Sequence, residues 1–285
     1  MNVSRHILPG GEWLYYKLYT QPNNADTILL ALSPTIRRLK ECGMVDLFFF
    51  IRYNDPSFHL RLRFRCPEQG SVASVLTNEF NALFDKKLIY NVTIDTYHRE
   101  IERYGGDSIL EAEQIFCIDS LHILVMLGLL DKKNSLDTED RWLLALSLID
   151  NTLDGFGLSV DKKLAFIKVM SNSFKSEFGF DSHRFVCQID DKYRSNAEII
   201  RRYLAKDIDP DLVGILESRL GHIKRIFDGA DNKKEPLAHS IGSLIHMSMN
   251  RWFKTQGRLY ELFLYSFLVK YYTTEMMKER NGAHH

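Results

Sequence analysis

Hydrophobic and polar side chains follow a strand-like rhythm in the first hundred residues of the chain. Residues 58–65 alternate strictly between polar and apolar side chains, which predicts a half-buried β-strand. Residues 45–53 form a continuous apolar and aromatic run, which predicts a buried strand, and the turn signal Asn-Asp-Pro-Ser at 54–57 joins the two strands into a hairpin. Further strands are predicted at 13–19 and 88–97, and helices at 26–41 and 71–84.

A helical rhythm begins after Gly105 and Gly106. We therefore predict an α+β fold, in which an early antiparallel or mixed β-sheet precedes a predominantly helical C-terminal body within a single domain of residues 1–281. Residues 282–285, Gly-Ala-His-His, are interpreted as the remnant of an expression tag. The predicted helices cover residues 107–130 with Asp107 or Ser108 as the N-cap, 138–153, 160–178, 196–204, 210–227, and 236–277 with a break near Gly257.

Composition narrows the class of protein. The chain has 285 residues, and its 37 Lys and Arg balance its 37 Asp and Glu, which argues against nucleic-acid binding by bulk charge. The four cysteines lie too far apart for a zinc or redox motif, so we expect buried free thiols in a reducing compartment. No signal peptide and no apolar run long enough to span a bilayer is apparent. We expect a soluble cytoplasmic protein that contacts neither membrane nor nucleic acid directly.

The segment 59–65 is the first candidate for chemistry. On a strand, alternate side chains share a face, so His59, Arg61, Arg63 and Arg65 form one polar row. Such a row of cations repels itself unless an anion, a carboxylate or water covers it, and arginine suits carboxylate or phosphate because its planar group binds them at two points. The alternative is an exposed sheet face whose solvated arginines pair with acids on a neighbouring strand.

The segment 95–106 is the second candidate. In a helical turn Glu100 and Arg103 share a face, and Arg99 lies four residues before Arg103. These residues form either a structural ion-pair network or part of a charged site. Gly105 and Gly106 allow a sharp backbone turn or the close approach of a ligand.

The third candidate is a polar stripe on a helix. His239, Ser243, His246 and Asn250 follow each other at spacings of four, three and four residues. A neutral histidine can act as a base near pH 7, and it can equally be a hydrogen-bonded core residue. No third ligand has the spacing of a zinc site. Phosphate-binding glycine loops, a nucleophile elbow and a dinucleotide fingerprint are all absent from the sequence, which argues against ATP, NAD and serine-hydrolase chemistry.

Five segments in this order resemble the C-terminal domain of class I lanthipeptide dehydratases. This family also occurs as a free-standing "thiopeptide-type bacteriocin biosynthesis" protein. The resemblance brackets about residues 12–275. The segments are 13–19 (WLYYKLY), 49–56 (FFIRYNDP), 59–64 (HLRLRF), 96–106 (TYHREIERYGG) and 243–251 (SLIHMSMNR).

The resemblance implies an elimination reaction. In the family, a larger domain transfers glutamate from glutamyl-tRNA to Ser or Thr of a precursor peptide, and the domain similar to this chain eliminates the glutamate to leave dehydroalanine or dehydrobutyrine. The glutamylating domain has no counterpart in this sequence, so the resemblance implies a separate glutamylating partner protein and no cofactor. By motif match the catalytic residues are Arg61 or Arg63, Glu100, Arg103 and His246, and the substrate-binding residues are Arg52, His59, Arg99, Asn250 and Arg251.

Several roles stay open at this point. Arg61, Arg63 and Arg103 would hold the glutamate and the developing oxyanion, His246 would act as base or as acid, and Glu100 would orient an arginine or move a proton. Divergent family members are pyridine synthases, which join two dehydroalanines by a formal aza-[4+2] cycloaddition. A third possibility is a non-catalytic subunit that binds the precursor peptide. A homodimer is also possible, and the class of the final product is open.

Overall fold

A four-stranded antiparallel sheet forms in the N-terminal half, close to where the alternation predicted it. The computed structural model of the protein describes residues 3–136, 140–179 and 183–282. The strands of this sheet are β2 (Trp13–Thr20), β3 (Leu47–Asn54), β4 (Phe58–Arg65) and β5 (Ile89–Ile94), in the spatial order β3-β4-β2-β5. The short strands β1 (His6–Ile7) and β6 (Tyr97–His98) form a second, two-stranded sheet. The predicted strand 88–97 is therefore divided between the two sheets.

The register of the main sheet decides which side chains share a face. Arg61 on β4 lies opposite Ile51 on β3 and Lys17 on β2, and Arg63 lies opposite Phe49 and Tyr15. Directly opposed residues project to the same face of a sheet. The other face of β4 carries residues that are fully buried, as the alternation predicts: Leu60, Leu62 and Phe64.

The chain divides into two compact units. The first contains Met1–Asn134 and Ile226–Thr255, and the second contains Ser135–Arg225 and Gln256–His285. The first unit holds both sheets and every candidate site residue. Its helices are α1 (Ala25–Glu41), α2 (Gln69–Asp85), α3 (Ile109–Lys132), α8 (Lys234–His239) and α9 (Ile241–Trp252).

Helix α3 is the most apolar helix of the first unit. The segment Gly106–Lys132 is, among the described residues, the one helical stretch long and apolar enough to cross a membrane by length and composition, and 61% of its most apolar window is buried inside the protein. A core helix meets the same two criteria. Ser108 occupies the predicted N-cap position, but its side chain makes no capping hydrogen bond.

The second unit is helical throughout its described part. It is built from α4 (Asp140–Gly155), α5 (Val160–Phe178), α6 (His183–Leu204), most of α7 (Pro210–Asp228) and α10 (Gly257–Gly282). Buried polar contacts tie these helices together. Lys163 on α5 donates to Asp150 on α4 at 2.6 Å, and Tyr272 on α10 donates to the same carboxylate at 2.6 Å.

The predicted α+β class is confirmed, with an early sheet and a helical body after it. That residues 1–281 form one domain stays a prediction. The predicted helix start at Thr138 and residues 283–285 of the predicted tag remnant 282–285 lie outside the described residues, whereas Gly282 is the last residue of α10. The prediction of buried thiols is correct for Cys66 and Cys117 and wrong for Cys42 and Cys187, which are exposed.

Candidate active site

The polar row on β4 is mostly buried. His59 has no exposed surface and Arg63 is 6% exposed, whereas Arg61 and Arg65 are half-buried. The cations at the edges of this face have acidic partners, because Arg65 pairs with Asp46 at 3.6 Å and Lys17 on β2 pairs with Asp95. The expectation of solvated arginines paired with acids therefore holds for Arg65 and not for the two arginines in the middle of the row.

Arg63 is a buried cation surrounded by aromatic rings. Its guanidinium carbon lies 4.3 Å from the ring centroid of Tyr15, 4.6 Å from that of Tyr97 and 5.2 Å from that of Phe49. Its Nε is buried without a hydrogen-bond partner, and no carboxylate within the described ranges pairs with it. Burial lowers the pKa of Arg63. Cation–π contacts offset only part of the cost of burying a charge, so an anion at this face would be strongly attracted.

The Nε atom and one face of the Arg61 guanidinium have partners among the described residues, whereas its terminal amino groups do not. Its Nε donates to Nε2 of His59 at 3.1 Å, and its guanidinium carbon lies 3.4 Å from the ring centroid of Tyr53. Its two terminal amino groups make no hydrogen bond or ion pair with any residue that the structure describes. They are consequently available to grip a carboxylate at two points.

Glu100 and Arg103 meet as the sequence predicted. Arg103 lies in a 3-10 helix, Ile101–Tyr104, and donates to Glu100 at 2.7 Å. The side chains are 44% and 60% exposed, so a ligand can reach both. Burial opposes the charge of Arg103, but the hydrogen bond and the charge of Glu100 outweigh it and raise the pKa of Arg103.

Gly105 ends this turn in a conformation that needs glycine. Its φ is +73°, and a Cβ at this position would lie 2.6 Å from the Cβ of Pro236 on α8. The close approach that the two glycines allow is therefore, at Gly105, an approach to another part of the protein. This contact packs the end of the turn that carries Arg103 against α8.

Helix α9 brings His246 to the same region. Nε of Arg103 donates to Ser243 at 3.3 Å, near the start of α9. At the other end, Asn250 forms two hydrogen bonds with the backbone of Arg52 on β3. His246 lies three residues after Ser243 and four before Asn250, so it shares their face and is half-buried between these contacts. His239, which the sequence placed in the same stripe, ends the separate helix α8 and is exposed.

A buried aromatic wall joins Arg103 to Arg63. The ring of Tyr104 packs 5.2 Å from that of Phe116, and Phe116 packs 5.3 Å from Phe49, which contacts Arg63. Burial raises the pKa of Tyr104 to about 12. Phe49 and Tyr104 lie in two of the segments that resemble the family but are not among the predicted site residues, and Phe116 lies outside those segments. The strand alternation contained a usable signal for Tyr15, because it places this side chain on the face of Arg63.

The outer edge of β3 is covered by side chains instead of a fifth strand. Cys117 and Ser120 on α3 accept from the backbone N–H groups of Phe48 and Phe50, at 3.4 and 3.2 Å. Asn250 accepts from the N–H of Arg52 at 3.0 Å and donates to its carbonyl at 2.8 Å. An unpaired strand edge would otherwise leave these groups unsatisfied in the interior.

Arg52 and Arg251 both form buried ion pairs near this edge of β3. Arg52 pairs with Asp26 at 2.6 Å, and Arg251 pairs with Asp119 at 3.0 Å, and all four side chains are buried. Arg251 also donates from Nε to the carbonyl of Phe50 at 2.9 Å. Nε of Arg52 in turn donates to the carbonyl of Arg251 at 2.9 Å, so these two side chain–backbone hydrogen bonds join α9 to β3. Substrate binding by Arg52, Asn250 and Arg251 stays a prediction.

Arg99 and Arg103 have different partners. It is buried and donates to both carboxylate oxygens of Glu113 on α3, at 2.7 and 2.9 Å, and it pairs with Glu12 at 3.0 Å. Glu113 also accepts from Tyr97 at 2.8 Å. These bonds fasten the start of the segment that carries Glu100 and Arg103. Substrate binding by Arg99 likewise stays a prediction.

Asn250→Ala is expected to destabilise the protein by about 1–3 kcal/mol, because the buried N–H and C=O of Arg52 would each lose a partner. Urea unfolding measures the change. His239→Ala, at an exposed position, is the control and should leave the midpoint in place. Equal midpoints for the two variants would show that Asn250 does not hold α9 to the sheet.

No cluster of three His, Cys, Asp or Glu suited to a metal ion occurs among the residues described. The candidate site is thus assembled from arginines, one glutamate, a histidine and aromatic rings. The fold and these residues define an α+β protein whose sheet face carries unneutralised positive charge.

The chain belongs to the lantibiotic dehydratase C-terminal family, because the family described as "Lantibiotic biosynthesis dehydratase C-term" matches residues 13–272. It is 29% identical over 264 residues to the subtilin biosynthesis protein SpaB of Bacillus subtilis, a match that covers 88% of this chain and 25% of SpaB. The chain therefore spans about a quarter of the length of this relative.

Two solved structures share the fold. The tRNA-dependent lantibiotic dehydratase MibB from Microbispora sp. 107891 matches with a TM-score of 0.70 and 23% identity, over 94% of this chain and 29% of MibB. The pyridine synthase TbtD from thiomuracin biosynthesis matches with a TM-score of 0.59 and 11% identity, over 93% of this chain and 98% of TbtD. At these identities the two structures support the fold alone.

Proposed function

We propose that the protein is a lyase that eliminates glutamate from glutamylated Ser or Thr of a ribosomally made precursor peptide. The products are dehydroalanine or dehydrobutyrine and free glutamate. The observation that carries this proposal is the pair Arg61 and Arg63, which have no carboxylate partner among the described residues although they lie side by side on one strand. The leaving glutamate supplies the missing anion.

His246 is the residue that accepts the proton in the proposed reaction. In this elimination a base removes the proton at Cα, the Cα–H electrons form the Cα=Cβ bond, and the Cβ–O bond breaks as glutamate leaves. A carboxylate leaves readily without protonation, whereas a peptide Cα–H is only weakly acidic. The harder task is proton removal, so His246 acts as the base at Cα.

The arginines stabilise the charge that develops. Arg61 offers its two terminal amino groups to the leaving carboxylate. Arg63 adds a charge that is buried and unneutralised, where fields are stronger than in water. Arg103, oriented by Glu100 and Ser243, stabilises the enolate oxygen that forms when the Cα proton leaves.

The partners follow from this reaction. We propose that the precursor peptide reaches the protein already glutamylated by a separate, glutamyl-tRNA-dependent protein, and that both work in the cytoplasm. The buried thiols of Cys66 and Cys117 fit a reducing compartment.

Cycloaddition is the second candidate function. The fold that this chain shares with the pyridine synthase TbtD, at a TM-score of 0.59, favours it. Joining two dehydroalanines involves no glutamate, however, and gives no use to Arg61 and Arg63. We therefore favour elimination.

The test is to incubate the pure protein with a glutamylated Ser/Thr peptide, without tRNA, ATP or added metal, and to follow the peptide mass. We expect loss of glutamic acid, slowed by about 100-fold in His246→Ala and in Arg103→Ala. Arg65→Ala, which removes an arginine already paired with Asp46, is the matched control and should keep most of the rate.

Two other outcomes would overturn the proposal. A glutamylated peptide that stays unchanged, together with a mass shift of a dehydroalanine-rich peptide, would assign cycloaddition. Binding of the precursor peptide without conversion of either substrate would assign a non-catalytic subunit.

A further inference from the structure

The hydrogen bonds of His59 fix its tautomer. The carbonyl oxygen of Ser57 lies 2.8 Å from Nδ1 of His59. A carbonyl can only accept, so Nδ1 must carry a proton and donate it. In the neutral ring Nε2 then has no proton and accepts from Nε of Arg61, 3.1 Å away. Both ring nitrogens are therefore engaged within the protein.

The surroundings of His59 favour the neutral ring. The residue is fully buried, and its ring packs against Tyr19 on β2 at 4.9 Å and Tyr53 on β3 at 5.6 Å. Two cations face it, Arg61 on β4 and Lys17 on β2, and one acid, Asp55 in the hairpin turn. Burial together with the two cations lowers the pKa of His59 more than Ser57 and Asp55 raise it.

We propose that His59 is a positioning residue that acts through Arg61, holding its Nε while Tyr53 supports the guanidinium face. This inference rests on the proposed function of Arg61 as the group that grips the leaving carboxylate. With Nε fixed and one face covered, the two terminal amino groups can point in only one direction. A guanidinium without these two contacts would sample several side-chain rotamers and lose the geometry needed for two parallel hydrogen bonds.

The arrangement has a consequence at low pH. Protonation of His59 places a proton on Nε2, which turns the acceptor of Arg61 into a second donor and sets two cations against each other. Because the pKa of His59 is lowered in the folded protein, this happens below the ordinary titration range of histidine. The stabilisation from the neutral ring is present above the ordinary histidine pKa and is lost as the pH falls towards the lowered one.

The test compares His59→Phe, which keeps the ring and removes the acceptor, with His59→Gln, whose amide oxygen can accept from Arg61. We expect kcat to fall by about 100-fold in His59→Phe with KM changed much less, and to be partly restored in His59→Gln. In an Arg61→Ala background, His59→Phe should cause no further loss, because the positioned group is already gone. A similar loss in both backgrounds would overturn the proposal and indicate a purely structural role.

A second measurement separates this inference from the proposed function. Nitrogen-15 NMR of the wild-type imidazole should show a protonated Nδ1 and an unprotonated Nε2 at neutral pH, and the Nε signal of Arg61 should move in His59→Phe. These signals are independent of turnover. If no peptide is converted but the signals appear, the proposed function fails and the His59–Arg61 contact stands. If Nε2 is protonated, or the Arg61 signal does not move, the positioning role fails whatever the activity.

Discussion

Arg63→Met is expected to make the protein more stable, by about 1–3 kcal/mol, although it removes a large buried side chain. The guanidinium of Arg63 is buried with an unpartnered Nε, and no acid in the described part of the chain pairs with it. Its contacts with Tyr15, Phe49 and Tyr97 return only part of the cost of burying the charge. Methionine fills a similar space and keeps favourable contacts with the rings.

The same substitution is expected to lower the rate of glutamate elimination by about 100- to 1,000-fold. Removing one group that stabilises developing charge in a buried site has effects of this size. Stability and activity should thus change in opposite directions, which is the behaviour of a residue kept for catalysis at a cost in stability. Urea unfolding and single-turnover kinetics on the glutamylated peptide measure the two effects.

Arg65→Met is the control for both effects. Arg65 lies two residues along the same strand, shares the face of Arg63 and is half-exposed beside Asp46. We expect small changes in stability, within about 1 kcal/mol, and in rate. If Arg63→Met instead destabilised the protein and left the rate intact, Arg63 would be part of the scaffold, and the proposed anion site would lose its main support.

The sequence predicted the sheet face better than the contacts on it. Strict alternation in 58–65 is a local signal, and β4 begins and ends where it predicted. Which arginine has an acid beside it depends on chain segments far apart in sequence, such as Asp46 for Arg65. No local pattern distinguishes the paired Arg65 from the unpaired Arg63. The alternation places both arginines in one row on β4, and the family resemblance singles out Arg61 and Arg63 from that row.

Local sequence patterns also failed to predict one of the helix boundaries. The pattern predicted one helix from residue 236 with a break near Gly257, and the structure adds a break at Ser240. There the Ser240 hydroxyl donates to the carbonyl of Leu237 at 2.7 Å, which competes with the helical hydrogen bond. A serine within a helical pattern does not reveal from sequence whether it makes this bond. The break separates His239 from the stripe that the pattern assigned to it.

Glu113→Gln is expected to be the most destabilising of the substitutions considered, by about 3–5 kcal/mol. The substitution keeps the shape of the side chain and removes its charge. Arg99 would then be buried with only the half-exposed Glu12 to balance it, and Tyr97 would exchange a carboxylate partner for a neutral amide. Breaking a buried ion pair in this way leaves a charge that water cannot reach. The midpoint of urea unfolding measures the loss.

A matched control lies on the same segment. Glu102 pairs with Arg5 at the surface, with side chains that are 72% and 44% exposed, so Glu102→Gln should leave the midpoint of urea unfolding almost unchanged. Both acids secure the segment that carries Glu100 and Arg103, one from the interior and one from solvent. If the interior pair determines where Arg103 lies, Glu113→Gln should also lower kcat at a temperature where the variant remains folded, while Glu102→Gln should not. Equal losses of stability in the two variants would show that burial does not decide the strength of these pairs. A full rate in folded Glu113→Gln would show that Gly105 and Ser243 suffice to hold Arg103 in place.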